Sequence, residues 1–259
     1  MRWIKGLIPT VIILLGALLL GCICYISIWG VPSFVVQRVE QALLEKGIPS
    51  HIETLKVTLW PRAVVTLKNV ELLDTEAMPE TRRPIVLLHE ADVALNWKKL
   101  IEGQVVPERV NVKGMDVTLP VDAGNPEKVF SVTGVNAELN LGRPGMVDIV
   151  KADAVVQGIR VTAQGAFSIG QDDSGDFTLT AQDMGAVREQ LNQVLNYMDR
   201  VKWPDASPPR LIVNLSDDPK GGVRVGMDLQ ATVLRYGKIM VRDFLFSGDY
   251  ADSVIMAKH

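Results

Sequence analysis

Beyond Cys24 the chain has no cysteine, so no disulfide can staple the bulk of it. Histidine is almost as scarce: His51, His89 and His259 are scattered, which leaves no H-x-x-x-H zinc pattern. The chain also lacks a G-x-S-x-G elbow, a Walker loop and a dinucleotide fingerprint. Without these sets no enzyme activity, metal site or cofactor is expected. With a net charge of -3 and neither a basic block nor an acidic tail, nucleic acid is not an expected partner. Aromatics make up 6% of residues while hydrophobics make up 47%, so the apolar surface is mainly Val, Leu, Ile and Ala. Such residues build a thin aliphatic lining more readily than a thick aromatic core.

Charge is missing altogether from 6–29, GLIPTVIILLGALLLGCICYISIW. At 1.5 Å per residue this run reaches about 36 Å as a helix, enough to cross a hydrocarbon layer of about 30 Å. It is expected to be a transmembrane anchor. A cleaved signal peptide would have a shorter apolar stretch, about 7 to 15 residues, and an A-x-A-like site, which is missing here. Leu19-Leu20-Gly21-Cys22 has the look of a lipobox, but apolar residues continue through Ile28; acylation of Cys22 stays open. Arg2 and Lys5 precede the run, whereas Arg38 and Lys46 beyond it are offset by Glu40 and Glu45. The positive-inside bias therefore makes 1–5 a cytoplasmic tail and puts the bulk of the chain on the other side.

An amphipathic helix follows at 31–46, with Pro32 in its first turn and Gly47 as its stop. Phe34, Val35, Val39, Ala42, Leu43 and Leu44 form its apolar side, which is expected to pack on the following sheet or to rest on the membrane surface. From Ile48 the period changes to two and holds for most of the chain. About thirteen short amphipathic strands are expected, joined by turns rich in Gly, Pro and Asp, with separate short strands on either side of a bend at Gly114, within 147–156 and around 239–246. Between them, Asn96 caps a helical turn over 97–102, and 184–203 carries a helical stripe through Val187, Leu191, Val194, Leu195, Met198 and Val201. The loops Asp172-Asp173-Ser174-Gly175-Asp176 and Asp217-Asp218 lack EF-hand spacing and read as solvated turns, and His89-Glu90 as an exposed pair on a strand.

The expected fold is mainly β: a transmembrane helix, an amphipathic helix, then a long curved antiparallel meander with a second amphipathic helix. The divisions are 1–5, 6–29, 30–122 and 123–259. So many amphipathic strands with so few helices must close as a sandwich or barrel, or stay open as a groove filled by something else. Lipid is the natural filler, since burying about sixteen methylenes is worth on the order of 12 kcal/mol. Moving an acyl chain from bilayer to groove exchanges one apolar setting for another at little net change.

A basic start and an anchor precede a helix ending Lys46-Gly47-Ile48 and the hairpin Leu55-Lys56-Val57-Thr58-Leu59-Trp60-Pro61 with Val65-Thr66-Leu67-Lys68-Asn69-Val70. Ala91-Asp92-Val93-Ala94-Leu95, the turn at Leu100 to Gly103, and 110–119 then follow. This layout resembles the N-terminal region of the AsmA-like family, relatives of chorein-type bridge proteins with repeating β-grooves. The resemblance covers about the first 122 residues; beyond them only the strand pattern is shared. It implies an inner-membrane protein facing the periplasm that binds or passes phospholipid or another acyl lipid in support of the outer membrane. Members of that family are much longer, and about thirteen strands give about 60 Å of groove, short of a bridge between two membranes. The expected lining is Val57, Leu59, Val65, Leu67, Val93, Leu95, Val110, Val112, Val117 and Leu119; which parity faces the groove is open at 64–70, where apolar residues lie on both faces. The alternative reading is an anchored β scaffold with a closed core that holds envelope proteins as partners.

Overall fold

The structure is a computed structural model. It describes residues 31–45, 48–73, 84–122, 125, 127–168, 181–219, 222–251 and 254–258. The anchor expected at 6–29 and the acidic loop at 172–176 lie outside these. Among the described residues no helix is long and apolar enough to cross a membrane.

Helix α1 (Ser33–Glu45) precedes strands β1 (Ser50–Thr58), β2 (Val64–Leu73) and β3 (Pro84–Leu95). A short helix α2 (Trp97–Ile101) follows, and the Asn96 side chain caps it by accepting from the Lys99 amide. Strands β4 (Pro107–Pro120), β5 (Val129–Asn140), β6 (Met146–Val156) and β7 (Ile159–Ser168) continue the chain. Then come helix α3 (Ala181–Met198), the two-residue β8 (Val201–Lys202), and β9 (Arg210–Asp217), β10 (Val223–Tyr236), β11 (Ile239–Ala251) and β12 (Val254–Lys258). Eleven of these strands pair in chain order across one open sheet, and β8 joins its side by pairing with β10. The mainly β character is what the period-two pattern predicts, and the open sheet is one of the three solutions that it allows.

Three details differ from expectation. Short strands expected on either side of Gly114, within 147–156 and around 239–246 are single long strands, so the path holds eleven strands among the described residues. The helix expected to reach Trp203 stops at Met198, because Val201 and Lys202 pair with Tyr236 and Arg235 instead. And the meander is not antiparallel throughout: β7 and β9 run parallel, with α3 and β8 in the crossover between them. Parallel and antiparallel strands share the same side-chain alternation, so the pattern is silent on direction.

The long strands are bent. β1 to β4 keep one register on both sides of the row Glu53, Asn69, His89 and Gly114, shifting only near the strand ends at Leu72/Leu73 and Ala94/Leu95, yet their ladder is interrupted along that row. Asn69 and Gly114 take positive φ, 48° and 64°. At this row the apolar alternation changes phase by one residue. Leu67, Ala91 and Val112 lie on one side of it, and Val70, Leu88 and Met115 on the other. A residue in the left-handed region re-aims the side chains that follow, as a bulge does, so the apolar residues stay on one face. The phase change accounts for Val70 falling out of step with Val65 and Leu67.

Gly114 is held by sterics as well as by φ. A Cβ there would lie 2.8 Å from His89 Cδ2. Gly114→Ala is expected to cost about 1 to 3 kcal/mol in a denaturant titration. Adding His89→Ala should recover the clash but not the backbone strain, a split that a double-mutant cycle measures.

At the first edge, α1 closes the β1 backbone. The Val31 amide donates to the Leu55 carbonyl, and the Ile52 amide donates to Glu40 Oε1 at 2.7 Å. Glu40 thereby satisfies an edge donor that would otherwise template pairing with another strand. The residues of α1 that are half-buried are Val35, Val36, Val39, Glu40 and Leu43, whereas Phe34 and Leu44, expected on the packed side, are exposed.

Candidate functional site

Strand register turns the alternation into two continuous apolar rows. Val57, Val65, Val93 and Val110 stand in register across β1 to β4, and the row runs on through Leu139, Ile149 and Gly165. It ends through Leu215, Val225, Tyr250 and Ile255 on β9 to β12. Beside it, Leu55, Leu67, Ala91 and Val112 lead to Ala137, Ala152 and Ala163, then to Val213, Met227, Gly248 and Ala257. Twenty-two positions thus carry a single polar atom, the Tyr250 hydroxyl. The second row is built mostly of small residues at its centre, flanked by larger Val and Leu.

The opposite face is charged. The row Lys56, Thr66, Asp92, Asn111, Glu138, Lys151 crosses β1 to β6 with alternating character. Its strongest cluster centres on Glu90. Lys113 Nζ lies 2.6 Å from Glu90 Oε1, and Lys68 Nζ 2.7 Å from Oε2. Hydrogen bonds from Lys113 and then Lys68 lower the Glu90 pKa from 4.5 to about 2, and Glu90 in turn raises that of Lys113. Asp153 is lowered in the same way, first by Lys151 and then by Thr162. A pKa lowered by folding stabilises the fold above the unfolded value and stops doing so as pH falls through the folded one. Glu90→Gln is therefore expected to melt slightly below the parent at pH 7, with the gap narrowing from about pH 4.5 and gone by about pH 2. Thermal melts across that range check it. Further along, Arg224 pairs with Asp249, which is 5% exposed, and so ties β10 to β11.

The apolar face is not covered by a second layer among the described residues. All substantial contacts between elements join neighbours in the ladder, apart from α1 against β1 and α3 against β5 and β8. Apart from Pro49 and Pro209, only nine apolar side chains are buried among the described residues, and Ala91 is the single member of the two rows in that set, with Gly248 the one row glycine that is also buried. Three more of the nine, Leu119, Val121 and Leu195, lie at the end of β4 and on α3. There, Lys128 Nζ donates to Asn196 on α3, and Trp203 lies against Gly158.

The ten residues expected to line a groove fall as follows. Val57, Val65, Val93 and Val110 form the first row, and Leu67 and Val112 belong to the second. Val117, past the Gly114 bend, pairs with Val86 and Val132. Leu59 is half-buried just after β1, and Leu95 pairs with Pro107. Leu119 pairs with Phe130 and is buried, so it belongs to the packed end rather than to the open face. The central alanines Ala137, Ala152 and Ala163 were not singled out from sequence. The signal was there, since each occupies the apolar phase of its strand, but alanine is weakly apolar and reads as filler. Among the described residues no group of His, Cys, Asp and Glu could hold a metal ion.

Comparisons with family models, with curated proteins and with solved structures find no match to this chain.

Proposed function

We propose that this chain is a membrane-tethered protein that binds acyl lipid along the apolar face of its sheet. The observation that carries the reading is the pair of unbroken apolar rows on a face that no second layer covers among the described residues. Water against such a surface is costly, and a soluble protein rarely leaves a contiguous apolar patch of more than a few hundred Å² open. Eleven strands at about 4.8 Å spacing give a path of about 48 Å, well beyond the roughly 15 Å spanned by the chains of one leaflet. The path is shorter than the 60 Å expected from thirteen strands, which further favours local uptake over bridging. Small side chains along the centre with larger ones beside them give the face a shallow channel. The bends at Asn69 and Gly114 favour a sheet curved around its occupant.

In this reading the run 6–29 anchors the chain in the inner membrane and the sheet stands in the periplasm, as in the AsmA-like family it resembles. Phospholipid enters at the anchored end and serves the outer membrane. No fuel is required, because an acyl chain moves between two apolar settings. The full chain, purified in a mild detergent whose mass differs from that of any phospholipid, is expected to carry phospholipid in native mass spectrometry. Protein that is consistently empty while folded would sink the proposal.

A further inference from the structure

The hairpin of β10 and β11 reaches past the rest of the sheet. β9 accompanies β10 from Val223 to Gln230; beyond that its neighbour on this side is β8, at Arg235 and Tyr236. The β10–β11 ladder skips Thr232 and Asp243, and Asp243 has a φ of 51°. The phase of the apolar pattern changes here as it does at Asn69 and Gly114. Leu234 pairs with Val241 and Tyr236 with Ile239, which makes one side of the tip wholly apolar. This side is open to solvent: Tyr236 is 52%, Ile239 64% and Val241 41% exposed.

The other side carries the cations, interspersed with Val233 and the exposed Met240, which stands opposite Arg235. Arg235 stands directly opposite Lys202, Arg242 is opposite Val233, and Lys238 occupies the turn. Like charges facing each other across a ladder repel unless an anion screens them. None of the four forms an ion pair with a described residue; Arg235 Nε donates to the Gly237 carbonyl. Asp243, the carboxylate next in the chain, pairs with none of them either. Two more guanidiniums, Arg160 and Arg210, stand in register across β7 and β9 and line a cavity of about 530 Å³ that extends to Asp243 and Leu245. The basic surface therefore continues below the tip.

We propose that this hairpin end docks on an anionic lipid surface. Tyr236, Ile239 and Val241 enter the interfacial layer, and Lys202, Arg235, Lys238 and Arg242 meet phosphate headgroups. The two sides of the tip make opposite demands. Water serves the cations and not the apolar cluster, whereas a bilayer interface serves both within a few ångströms. Tyrosine, with an apolar ring and a polar tip, suits that boundary. The tip lies about nine strand spacings from β1, roughly 43 Å, so a chain anchored before α1 gains a second lipid contact near the far end of its apolar rows. The proposal does not rest on lipid binding by the open face.

The test uses the full chain with Cys22→Ser, Cys24→Ser and Ile239→Cys, the last carrying an environment-sensitive fluorophore, in nanodiscs of phosphatidylcholine. Adding vesicles that contain one-third phosphatidylglycerol is expected to shift the emission to the blue, and phosphatidylcholine vesicles to leave it unchanged. Each basic residue near such a surface is worth about fivefold, so Arg235→Gln, Lys238→Gln and Arg242→Gln together should weaken the vesicle affinity about a hundredfold. These positions are exposed, and an unchanged circular dichroism spectrum confirms that the fold is kept. A label at Lys238→Cys repeats the measurement with every apolar side chain in place. No shift with anionic vesicles at either label position would overturn the proposal. So would a shift that ignores lipid charge, or one that rises with protein concentration without vesicles, which marks a contact between copies.

Discussion

Gly165→Ala is expected to destabilise the protein by about 3 kcal/mol or more, the largest effect of any glycine substitution in the sheet. Gly165 lies on β7 in the first apolar row, between Ile149 and Leu215, with a φ of 134°. A Cβ there would fall 2.0 Å from the Leu215 carbonyl oxygen and 2.7 Å from its amide nitrogen. Both are backbone atoms, so no rotamer change relieves the clash; β9 would have to leave β7. This is the parallel seam that joins β1–β7 to β9–β12, and the next rung, Gln164 against Asn214, is tied by a side-chain bond of 3.2 Å. Gly142→Ala is the control, because a Cβ there meets nothing within 4 Å. Urea titrations should place the control within about 0.5 kcal/mol of the parent and show Gly165→Ala unfolding early. A Gly165→Ala midpoint close to that of the parent would mean that β7 and β9 are not paired in this way.

The second large effect separates the open face from the packed end. Val112 is half-buried in the second row, between Ala91 and Ala137, on the face that no second layer covers among the described residues. A carboxylate there keeps contact with water, so Val112→Asp should cost stability modestly while removing bound lipid. Leu119, on the same strand, is 8% exposed. An unpaired carboxylate at that position must be dehydrated, and Leu119→Asp is expected to cost about 3 kcal/mol or more and to unfold much of the population at 37 °C. Paired measurements of melting temperature and co-purified phospholipid distinguish the two. If Val112→Asp unfolds the protein as readily as Leu119→Asp, the apolar face is closed in solution and the scaffold reading gains.

Much of the architecture was legible because alternation is a strong signal in strands with one dry and one wet face. The positions of most strands and the β1–β2 hairpin follow from it directly, and the Asn96 cap follows from a capping residue set ahead of a short helical turn. The phase change at Gly114 was visible as a bend but read as a strand break. In the structure the chain passes through it unbroken, because the neighbouring strands bend at the same row, at Asn69 and His89. Direction was not legible: nothing in residues 159–217 reveals that the return strand runs parallel to β7. Nor was the end of α3, where an apolar residue at helical spacing, Val201, is taken instead by a partner strand. Leu119 illustrates the limit for the site. Its alternation is that of a lining residue, and only the structure shows it buried, opposite Phe130.

The most direct test of lipid binding along the open face is photocrosslinking by row. A photoreactive amino acid is placed singly at Val57, Ala137, Ala163 and Met227 on the apolar face, and at Lys56, Glu138, Thr162 and Asp228 beside them on the polar face. The full chain is then illuminated in the membranes of living cells. Lipid adducts are expected at all four apolar positions and at none of the polar ones, following the two-residue alternation from β1 to β10. Adducts spread equally over both faces, or confined to protein partners on the apolar one, would contradict the account.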